Sequence, residues 1–546
     1  MYGRARSSRR VVAVIAVVVS VAAGLAGCGS SKSSSSTATT VASGHALLVG
    51  TFNGHAGQYT TIQDAVNAAQ PGDWVLVAPG DYHEAADHAA PPTNTEAGGF
   101  GGVLISTPNV HLRGMDRNGV VVDGTKPSAS SPCSANAADQ DLGVVGSDGK
   151  ALGRNGIVAW KADGVTIDNL TTCNFLNGAG SAGNGVWWNG GADSGTIGSG
   201  GYSGTYLTAT SSYFGDAKTA ALYGIFSSNS HGPATWDQVY ASNFSDSGMY
   251  VGACLQQCGI TIDHAWMEYS ALGYSGTNSG GQIVIKDSEF DKNKDGFDTN
   301  TQINGDPPAP QDGACPDGAT SDITHTTSCW VFMNNNVHDN NNPNVPQTGT
   351  AAAGPLGTGM TVSGGRNDTV MNNTFSNNGA WGILFVPYPD SGTPDLGQTC
   401  AGKGGVQTAG IGCVFDPMGN ALLNNTFSNN GSFGNPTNGD YGLLALSAGQ
   451  PSNCFSGNQA PKGSTPTDLQ QTYPTCGVTT TAAVAPNDLL SQVLCDTNFG
   501  GCPAGANYPK STGVVMQPLP TNLPTMPNPC DGVPDNDWCK NGNPAS

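Results

Sequence analysis

The sequence is poor in charge, above all in positive charge. Only 11% of its 546 residues are charged, and 20 Lys and Arg residues stand against 40 Asp and Glu residues. An acidic surface repels nucleic acid and anionic lipid, so we expect no nucleic-acid partner. Apolar residues are nevertheless 37% of the chain and occur in strand-sized runs among 78 glycines, which indicates a folded, turn-rich β protein.

The N-terminal apolar run, Val11–Val19, is too short for a spanning helix. It follows four arginines, as in an export signal, and Leu25–Cys28 resembles the lipobox of bacterial lipoproteins, in which the cysteine carries lipid. An ordinary cleaved signal and an uncleaved anchor are the alternatives. Removal of residues 1–27 takes away four arginines and no acid, so the net charge falls from −20 to −24. We expect an exported protein, at the cell surface or anchored to the membrane by lipid at Cys28.

No CxxC pair or neighbouring pair of histidines completes a zinc site around Cys254 and Cys258. The fourteen cysteines after Cys28 are an even number in an exported chain, which predicts disulfides, although sequence alone does not fix their connectivity. Local pairing predicts seven bridges: Cys133–Cys173, Cys254–Cys258, Cys315–Cys329, Cys400–Cys413, Cys454–Cys476, Cys495–Cys502 and Cys530–Cys539.

The most regular feature of the sequence is a repeat. The octapeptide NNTFSNNG occurs at 372–379 and again at 424–431, with degenerate copies upstream at intervals of about 20 to 27 residues. A period of this size predicts a solenoid, whose units bury their apolar edges by stacking. The short apolar runs are β-branched or aromatic, which predicts strands and tight turns.

One column of the repeat is polar. Two residues before the buried apolar position stand Asn373, Asn425, Asn335, Ser288 and Ser242. At a turn of a parallel stack, such a side chain can bond its counterpart one rung away and satisfy backbone groups that the bend leaves unpaired. We therefore predict a structural role for this column.

Residues 59–84 precede the repeat. Their sequence predicts a helix from the spacing of its apolar residues, Ile62, Ala65, Val66 and Ala69. Pro71-Gly72 ends this helix, and a strand follows at Trp74–Ala78. This segment resembles the N-terminal cap of right-handed parallel β-helix proteins of the pectin-lyase-like superfamily, and residues 46–457 resemble their rungs.

The resemblance implies an all-β fold, a right-handed parallel β-helix with a short N-terminal capping helix and a disulfide-rich C-terminal tail. It is less specific for activity, because the superfamily includes polysaccharide lyases, glycoside hydrolases, uronan epimerases and non-catalytic surface proteins. The epimerases' Asp-Pro-His-Asp motif and the hydrolases' set of Asn-Thr-Asp, Asp-Asp and Gly-His-Gly are missing, so no catalytic residue is carried over.

Four segments are predicted along the chain, which we expect to be a monomer. They are a lipoprotein signal peptide (1–27), a Ser/Thr-rich tether (28–45), the parallel β-helix domain (46–460) and a Cys/Pro-rich cap with a loosely structured tail (461–546).

Ionisable side chains concentrate in one region of the repeat. Glu268 and Asp291 share a column on adjacent rungs, about 4.8 Å apart, His338 continues that column and Glu289 flanks it. We expect these groups to crowd one outward face, and the catalytic candidates are Glu268, Glu289, Asp291, Lys292, Lys294, Asp295 and His338.

Crowded carboxylates either raise one another's pKa, which suits acid–base catalysis, or bind a hard cation such as calcium. The candidate calcium ligands are Asp291, Asp295 and Asp298. A solvated, salt-paired rim is the alternative. If the cluster is functional, Asp291→Asn abolishes activity or calcium-dependent affinity, whereas Asp163→Asn has no effect.

The aromatic residues Trp266, Tyr269 and Tyr274 lie among these acids. Exposed flat rings suit stacking on sugar rings, whereas buried rings merely fill gaps between rungs. Two hypotheses therefore stay open: a surface protein that binds and cleaves or epimerises an extracellular polysaccharide, and a non-catalytic carbohydrate-binding or structural surface protein.

We predict that Cys28 is lipidated, because it ends a lipobox-like tetrapeptide behind a basic and apolar leader. Partitioning of the wild type and of Cys28→Ser between detergent and aqueous phases tests this. Wild type should enter the detergent phase and the variant the aqueous phase; equal aqueous release of both would contradict lipidation.

Overall fold

Each complete turn of the chain contributes three short parallel strands, as in the rung Gly281–Lys286, Glu289–Asp291 and Asp295–Asn300. The computed structural model describes residues 44–84, 101–180, 182–191, 198–254, 257–277, 279–300, 312–390, 400, 405–408, 412–496 and 502–545. The predicted right-handed parallel β-helix is confirmed. The predicted signal peptide, the predicted lipidation site Cys28 and most of the predicted tether lie outside the described residues. Within them, no helix is long and apolar enough to cross a membrane.

Two faces of the stack form one continuous sheet, because the strands Thr166–Cys173 and Ser203–Thr210 run through the corner between them. The other strands of the first face are Ala46–Val49, Trp74–Val77, His111–Gly114, Ala234–Asp237, Gln257–Asp263, Gly281–Lys286, Trp330–Met333, Asp368–Met371, Ala421–Leu423 and Cys454–Ser456. Those of the second face are Gly80–Tyr82, Val120–Asp123, Tyr240–Ser242, Trp266–Glu268, Glu289–Asp291, Asn336–His338, Thr374–Ser376 and Thr426–Ser428.

The third face is a separate eleven-stranded sheet in the described part of the chain. Its strands are Gly101–Ile105, Asn155–Trp160, Asn184–Asn189, Tyr223–Ser228, Ser247–Gly252, Leu272–Thr277, Asp295–Asn300, Thr358–Ser363, Trp381–Val386, Gly439–Leu443 and Ser464–Thr465. Side chains alternate along each strand, so one column, with Met249, Tyr274 and Phe297, fills the core. The neighbouring column faces outward.

Short elements cover the stack. The helices are Ile62–Ala68, Leu469–Thr472 and Asn487–Asp496, with 3-10 turns at Ala137–Asp139, Pro316–Gly318 and Gly349–Ala353. The remaining strands are Thr51–Phe52, His55–Ala56, Ser199–Gly200, Ser230–His231, Tyr388–Asp390, Gly405–Thr408, Gly412–Phe415, Cys539–Lys540 and Asn543–Pro544. The predicted N-terminal helix is confirmed: Thr61 caps it, accepting a hydrogen bond from the Asp64 backbone, and its apolar side packs on the first rungs.

Four of the five residues in the polar column form the predicted ladder at the corner between the first two faces; the fifth, Ser242, was misaligned, because it pairs with Glu268 within the second face. The Asn373 side chain accepts from the Asn335 backbone at 2.8 Å and donates to the Phe332 carbonyl at 3.0 Å. The Asn373 backbone in turn donates to the Asn425 side chain at 2.9 Å. Ser288 continues the ladder upstream by donating its backbone N–H to Asn335. Each of these side chains therefore satisfies backbone groups that the bend would leave unpaired.

A second ladder, which the sequence analysis missed, stands at the next corner. Its members are Asn293, Asn340, Asn378 and Asn430, all fully buried. In the octapeptide, Asn373 belongs to the first ladder, Phe375 to the core and Asn378 to the second ladder. The repeat thus encodes two consecutive corners and the strand between them.

All seven predicted disulfides are confirmed. Such a set is typical of proteins that leave the cytoplasm.

The C-terminal segment runs back along the stack toward its N-terminal end. Its backbone N–H groups donate to successive rungs: Asn507 to Asn435, Val515 to Asn344, Gln517 to Asn243 and Met526 to Asn169. At the first rungs, the Arg113 side chain donates to the Asp531 carbonyl at 2.7 Å, and Trp538 packs with Leu48 and Leu76. The expectation of a loosely structured tail is therefore wrong for residues 502–545, which are irregular but held by specific contacts.

We predict that Asn373→Ala destabilises the fold by about 1–3 kcal/mol, because it leaves two buried backbone groups of the preceding rung, the Asn335 N–H and the Phe332 carbonyl, without these partners. Urea denaturation followed by circular dichroism measures the loss. Thr374→Ala, an exposed position on the same rung, is the control and should stay close to wild type. Equal stability of both variants would contradict a structural ladder.

Candidate functional site

The predicted cluster forms with the predicted register. Glu268 pairs with Asp291 on the adjacent rung, and Asp291 pairs with His338 on the next one. Ligand atoms of Glu289, Asp291 and His338 all lie within 4.8 Å of one another. Sequence alone therefore located this group correctly on the second face of the helix.

The expected solvent-facing arrangement of this cluster is wrong for two of its carboxylates. Glu268 is only 7% exposed and Asp291 only 1%. The Tyr240 hydroxyl donates to Glu268 Oε1 at 2.7 Å, and the Trp266 indole N–H donates to Asp291 Oδ1 at 2.8 Å. Neighbouring aromatic side chains therefore cover these two carboxylates, whereas the side chains of Glu289 and Lys292 are 44% and 41% exposed, as in the salt-paired rim that the sequence left open.

Lys292 supplies the positive charge of the cluster. Its Nζ lies 3.0 Å from Glu268 Oε2 and 2.5 Å from Asp291 Oδ2, and it also faces the Tyr269 ring at 5.3 Å. Although burial opposes its charged form, hydrogen bonds to Asp291 and Glu268 raise the pKa of Lys292 above its usual value. This ammonium group therefore stands between two carboxylates where a bound cation would otherwise be needed.

His338 is held between two acids. Its Nε2 lies 3.0 Å from Glu289 Oε1 and its Nδ1 lies 2.7 Å from Asp339 Oδ2. The hydrogen bond to Glu289, together with that to Asp339 and the charge of Asp291, raises the pKa of His338 to about 9 against the cost of burial. A protonated His338 repels cations, which weakens the case for a metal on this triad.

The structure does not bring together the predicted calcium ligands. Asp291 lies on the second face, whereas Asp295 and Asp298 lie on the strand Asp295–Asn300 of the eleven-stranded sheet. A turn of the chain separates the two faces, so these acids are not one ligand set. Lys294 is also directed elsewhere, since its buried side chain donates to the Ala352 carbonyl at 2.6 Å.

Tyr274 is not a substrate-binding residue. Its side chain is fully buried in the core, where its ring stacks on Phe297 at 4.2 Å between centroids. Trp266 and Tyr269 are half-buried beside the cluster, and their proposed contact with substrate stays a prediction.

A cavity of about 270 Å³ opens on the outward side of the eleven-stranded sheet, and Asp298, one of the predicted calcium ligands, is among the residues that line it. Both acidic and aromatic side chains line it. The lining residues are Tyr223, Asp246, Tyr250, Leu272, Ser275, Thr277, Asp298, Asn300, Thr350, Ala351, Gly354 and Tyr388.

Register explains why these residues meet. Tyr250, Ser275, Asp298 and Thr361 pair in sequence across four adjacent rungs, so they form one outward column with a spacing of about 4.8 Å. The 3-10 turn Gly349–Ala353 contributes Thr350 and Ala351 to the wall of the cavity.

Asp298 is held by three donors. The hydroxyls of Thr361 and Ser363 donate to its Oδ1 at 2.6 and 2.8 Å, and the Asn300 amide donates to its Oδ2 at 2.8 Å. Burial raises the pKa of Asp298 above its usual value, and these hydrogen bonds oppose that rise. Donors of this kind fix the orientation of the carboxylate and stabilise its ionised form.

Asp246 lies in a different environment. The Tyr223 hydroxyl donates to its Oδ2 at 3.2 Å, and the Asp298 charge is close enough to act on it. Burial, reinforced by Asp298, raises the pKa of Asp246 to about 7 despite hydrogen bonds from Tyr223 and Ser247. At neutral pH a large fraction of Asp246 therefore carries a proton that it can donate.

Asp295 stands behind the cavity wall and is fully buried. Burial, followed by repulsion from Asp298, raises the pKa of Asp295 well above its usual value. The Thr361 hydroxyl lies 3.3 Å from Asp295 Oδ2, so this threonine links Asp295 to Asp298.

Aromatic rings extend from the cavity across the neighbouring rungs. Tyr223 and Tyr250 lie 5.2 Å apart between centroids, and both contact Phe226, which stacks on Trp187 at 5.0 Å. A Cβ on Gly252 would lie 2.4 Å from the Tyr250 hydroxyl, so glycine at this position leaves room for that ring. The rings form one wall of the site.

Sequence reasoning missed this site because its members are dispersed. Asp246 and Tyr388 are far apart in the sequence, and neither belongs to a dense group of ionisable residues. Apolar and polar residues alternate along three successive strands, SGMYVG, LGYSGT and DGFDTN. When these strands are aligned rung by rung, the alternation places Tyr250, Ser275 and Asp298 in one outward column. That signal was present in the sequence.

Comparison with solved structures finds similar chains at low identity and low TM-score. The A-module of a mannuronan C-5 epimerase from Azotobacter vinelandii is 12% identical, with a TM-score of 0.39 over 73% of this chain and 89% of that chain. A pectate lyase is 13% identical (TM-score 0.38; 79% and 81%). An alginate lyase from Paenibacillus sp. is 12% identical (TM-score 0.35; 78% and 96%). No protein-family model and no curated protein matches the sequence.

We predict that His338 makes stability depend on pH in the alkaline range. Its folded pKa of about 9 exceeds the usual 6.5, so its stabilising contribution is complete below pH 6.5 and is lost as pH rises through about 9. Urea denaturation at pH 6.5, 7.5, 8.5 and 9.5 should show a steeper decline for wild type than for His338→Gln. Parallel curves for the two proteins would contradict the pairing of His338 with Glu289.

Proposed function

We propose that the protein cleaves an extracellular polysaccharide by glycoside hydrolysis at the cavity of the eleven-stranded sheet. The observation that carries this proposal is the pair of cavity carboxylates in unlike environments. Asp246 has a pKa of about 7; burial raises the pKa of Asp298 as well, but three hydrogen bonds oppose that rise and favour its ionised form. Two carboxyl groups separated in this way can serve as proton donor and as base or nucleophile.

The charge that develops in the transition state differs between hydrolysis on the one hand and elimination or epimerisation on the other, and so distinguishes these reactions. Hydrolysis of a glycosidic bond passes through an oxocarbenium-like transition state, which is positive and which carboxylates stabilise. Elimination and epimerisation of a uronate develop negative charge next to its carboxylate and need a cation there. Among the described residues that line the cavity there is no Lys, Arg or His. The residues present therefore favour hydrolysis.

Roles follow from position. Asp246 donates its proton to the leaving glycosidic oxygen, and the Asp298 carboxylate activates water or attacks the anomeric carbon. Tyr223 holds Asp246 through their hydrogen bond, and Tyr250 and Tyr388 offer ring faces to the apolar C–H faces of a sugar.

Two other functions are outcomes of the same test. The tyrosine wall alone would suit a non-catalytic carbohydrate-binding protein. A calcium ion on Asp298 would reverse the local charge and permit elimination, so assays are run with calcium and with a chelator.

We predict that Asp246→Asn lowers kcat/KM by about 10²–10⁴-fold, because the amide cannot donate the required proton. The mature protein is incubated with neutral and uronic glycans, and release of reducing ends is measured separately from unsaturated products. Wild-type kcat/KM should fall as pH rises above about 7, where Asp246 loses its proton.

Controls separate the two acidic sites. Asp298→Asn should also be inactive, and Asp163→Asn, an exposed acid elsewhere, should match wild type. Loss of activity in Asp291→Asn at unchanged melting temperature, with Asp246→Asn active, would place the chemistry at the Glu268, Asp291 and His338 cluster instead. Unsaturated products in the presence of calcium would contradict hydrolysis.

A further inference from the structure

We infer that the polysaccharide that occupies this cavity carries no carboxylate, and is a neutral glycan rather than a uronic one. The inference rests on the proposed function and adds the substrate class. It is carried by the charges around the cavity and by the position of the nearest cation.

The cavity is negative on its sheet side. Asp246 and Asp298 line it, and Asp295 stands directly behind Asp298, joined to it through Thr361. A uronate placed against this wall would bring a second negative charge next to the Asp298 carboxylate, because burial keeps a proton on much of Asp246 and on Asp295. Like charges repel each other in such a site, and each 1.4 kcal/mol of repulsion weakens binding about tenfold.

The charge of Lys294 opposes the rise in the pKa of Asp295, but Lys294 does not line the cavity. Lys294 precedes Asp295 in the chain, but its side chain is buried and donates to the Ala352 carbonyl behind the 3-10 turn. The cations of the second face, Lys292 and His338, are paired with Glu268, Asp291 and Glu289. In the described part of the molecule, no cationic side chain lines the cavity.

The remaining lining suits an uncharged sugar. Tyr223, Tyr250 and Tyr388 contribute aromatic rings to the lining, and Ser275, Thr277 and Asn300 contribute a network of neutral hydroxyl and amide groups that bond one another. Recognition here therefore depends on ring stacking and neutral hydrogen bonds.

The test uses glycans that differ only in charge. Polygalacturonate and alginate are each compared with their carboxyl-reduced forms, alongside galactan, mannan, xylan and β-glucan, all with calcium and with a chelator. Affinity is measured by isothermal titration and cleavage by release of reducing ends. We expect a neutral glycan to bind and to be cleaved, and each carboxyl-reduced polymer to bind at least about tenfold more tightly than its parent.

A charge-insertion variant gives a second readout. Thr350 is an exposed residue on the rim of the cavity, and Thr350→Lys should raise affinity for the uronic polymers about two- to fivefold. Thr51→Lys, at an exposed position in the N-terminal hairpin, is the matched control and should leave affinity unchanged.

The outcomes distinguish failure of the neutral-substrate inference from failure of the proposed function. Equal or tighter binding of the uronic polymers, lost in Asp246→Asn, would overturn the neutral-substrate inference and leave a cavity-based activity in place. Failure of every glycan, charged or neutral, to bind or to be cleaved would contradict the proposed function itself and this inference with it.

Discussion

The fold depends on satisfying the backbone at its corners. Every rung must bend between faces, and a bend in a parallel stack leaves buried N–H and C=O groups without ladder partners. The two asparagine ladders supply those partners: Asn373 and Asn378 each bond a neighbouring backbone N–H and a carbonyl of the preceding rung. Asn372 and Asn377, immediately before them, have φ near +57°, a conformation that asparagine tolerates better than most residues. The literal repetition of NNTFSNNG follows from this geometry.

The same constraint explains what sequence could predict. Corner residues recur at fixed positions, so repeat spacing was enough to predict the parallel stack and even to pair Glu268 with Asp291. Local cysteine pairing also succeeded, because consecutive rungs lie side by side in a solenoid. Sequence could not tell whether an outward position stays exposed. Asp291 is outward from the core, yet Trp266 and Lys292 cover it.

The C-terminal segment shows a second limit of periodic reasoning. Beyond the last rung the chain has no repeat, and its composition resembles that of a loose tail. Its contacts are individual hydrogen bonds that follow no repeat: Gln517 bonds to Asn243, Met526 to Asn169 and Asp531 to Arg113. These partners lie on separate rungs, so the segment acts as a strap along the stack. Trp538 covers apolar side chains of the first rungs, which would otherwise face water at the end of the solenoid.

The two acidic regions differ in how their charge is balanced, and that difference decides where chemistry is possible. On the second face, Lys292 and His338 neutralise the carboxylates, and hydrogen bonds occupy their oxygens. Such a cluster stabilises the fold but leaves few groups free to act on a ligand. Around the cavity, hydroxyls and amides orient Asp298 without cancelling its charge, and burial keeps a proton on Asp246. The density of ionisable residues therefore identified a charge-paired cluster and also included Asp298, whereas Asp246, the other acid of the cavity, lies outside that dense region of the sequence.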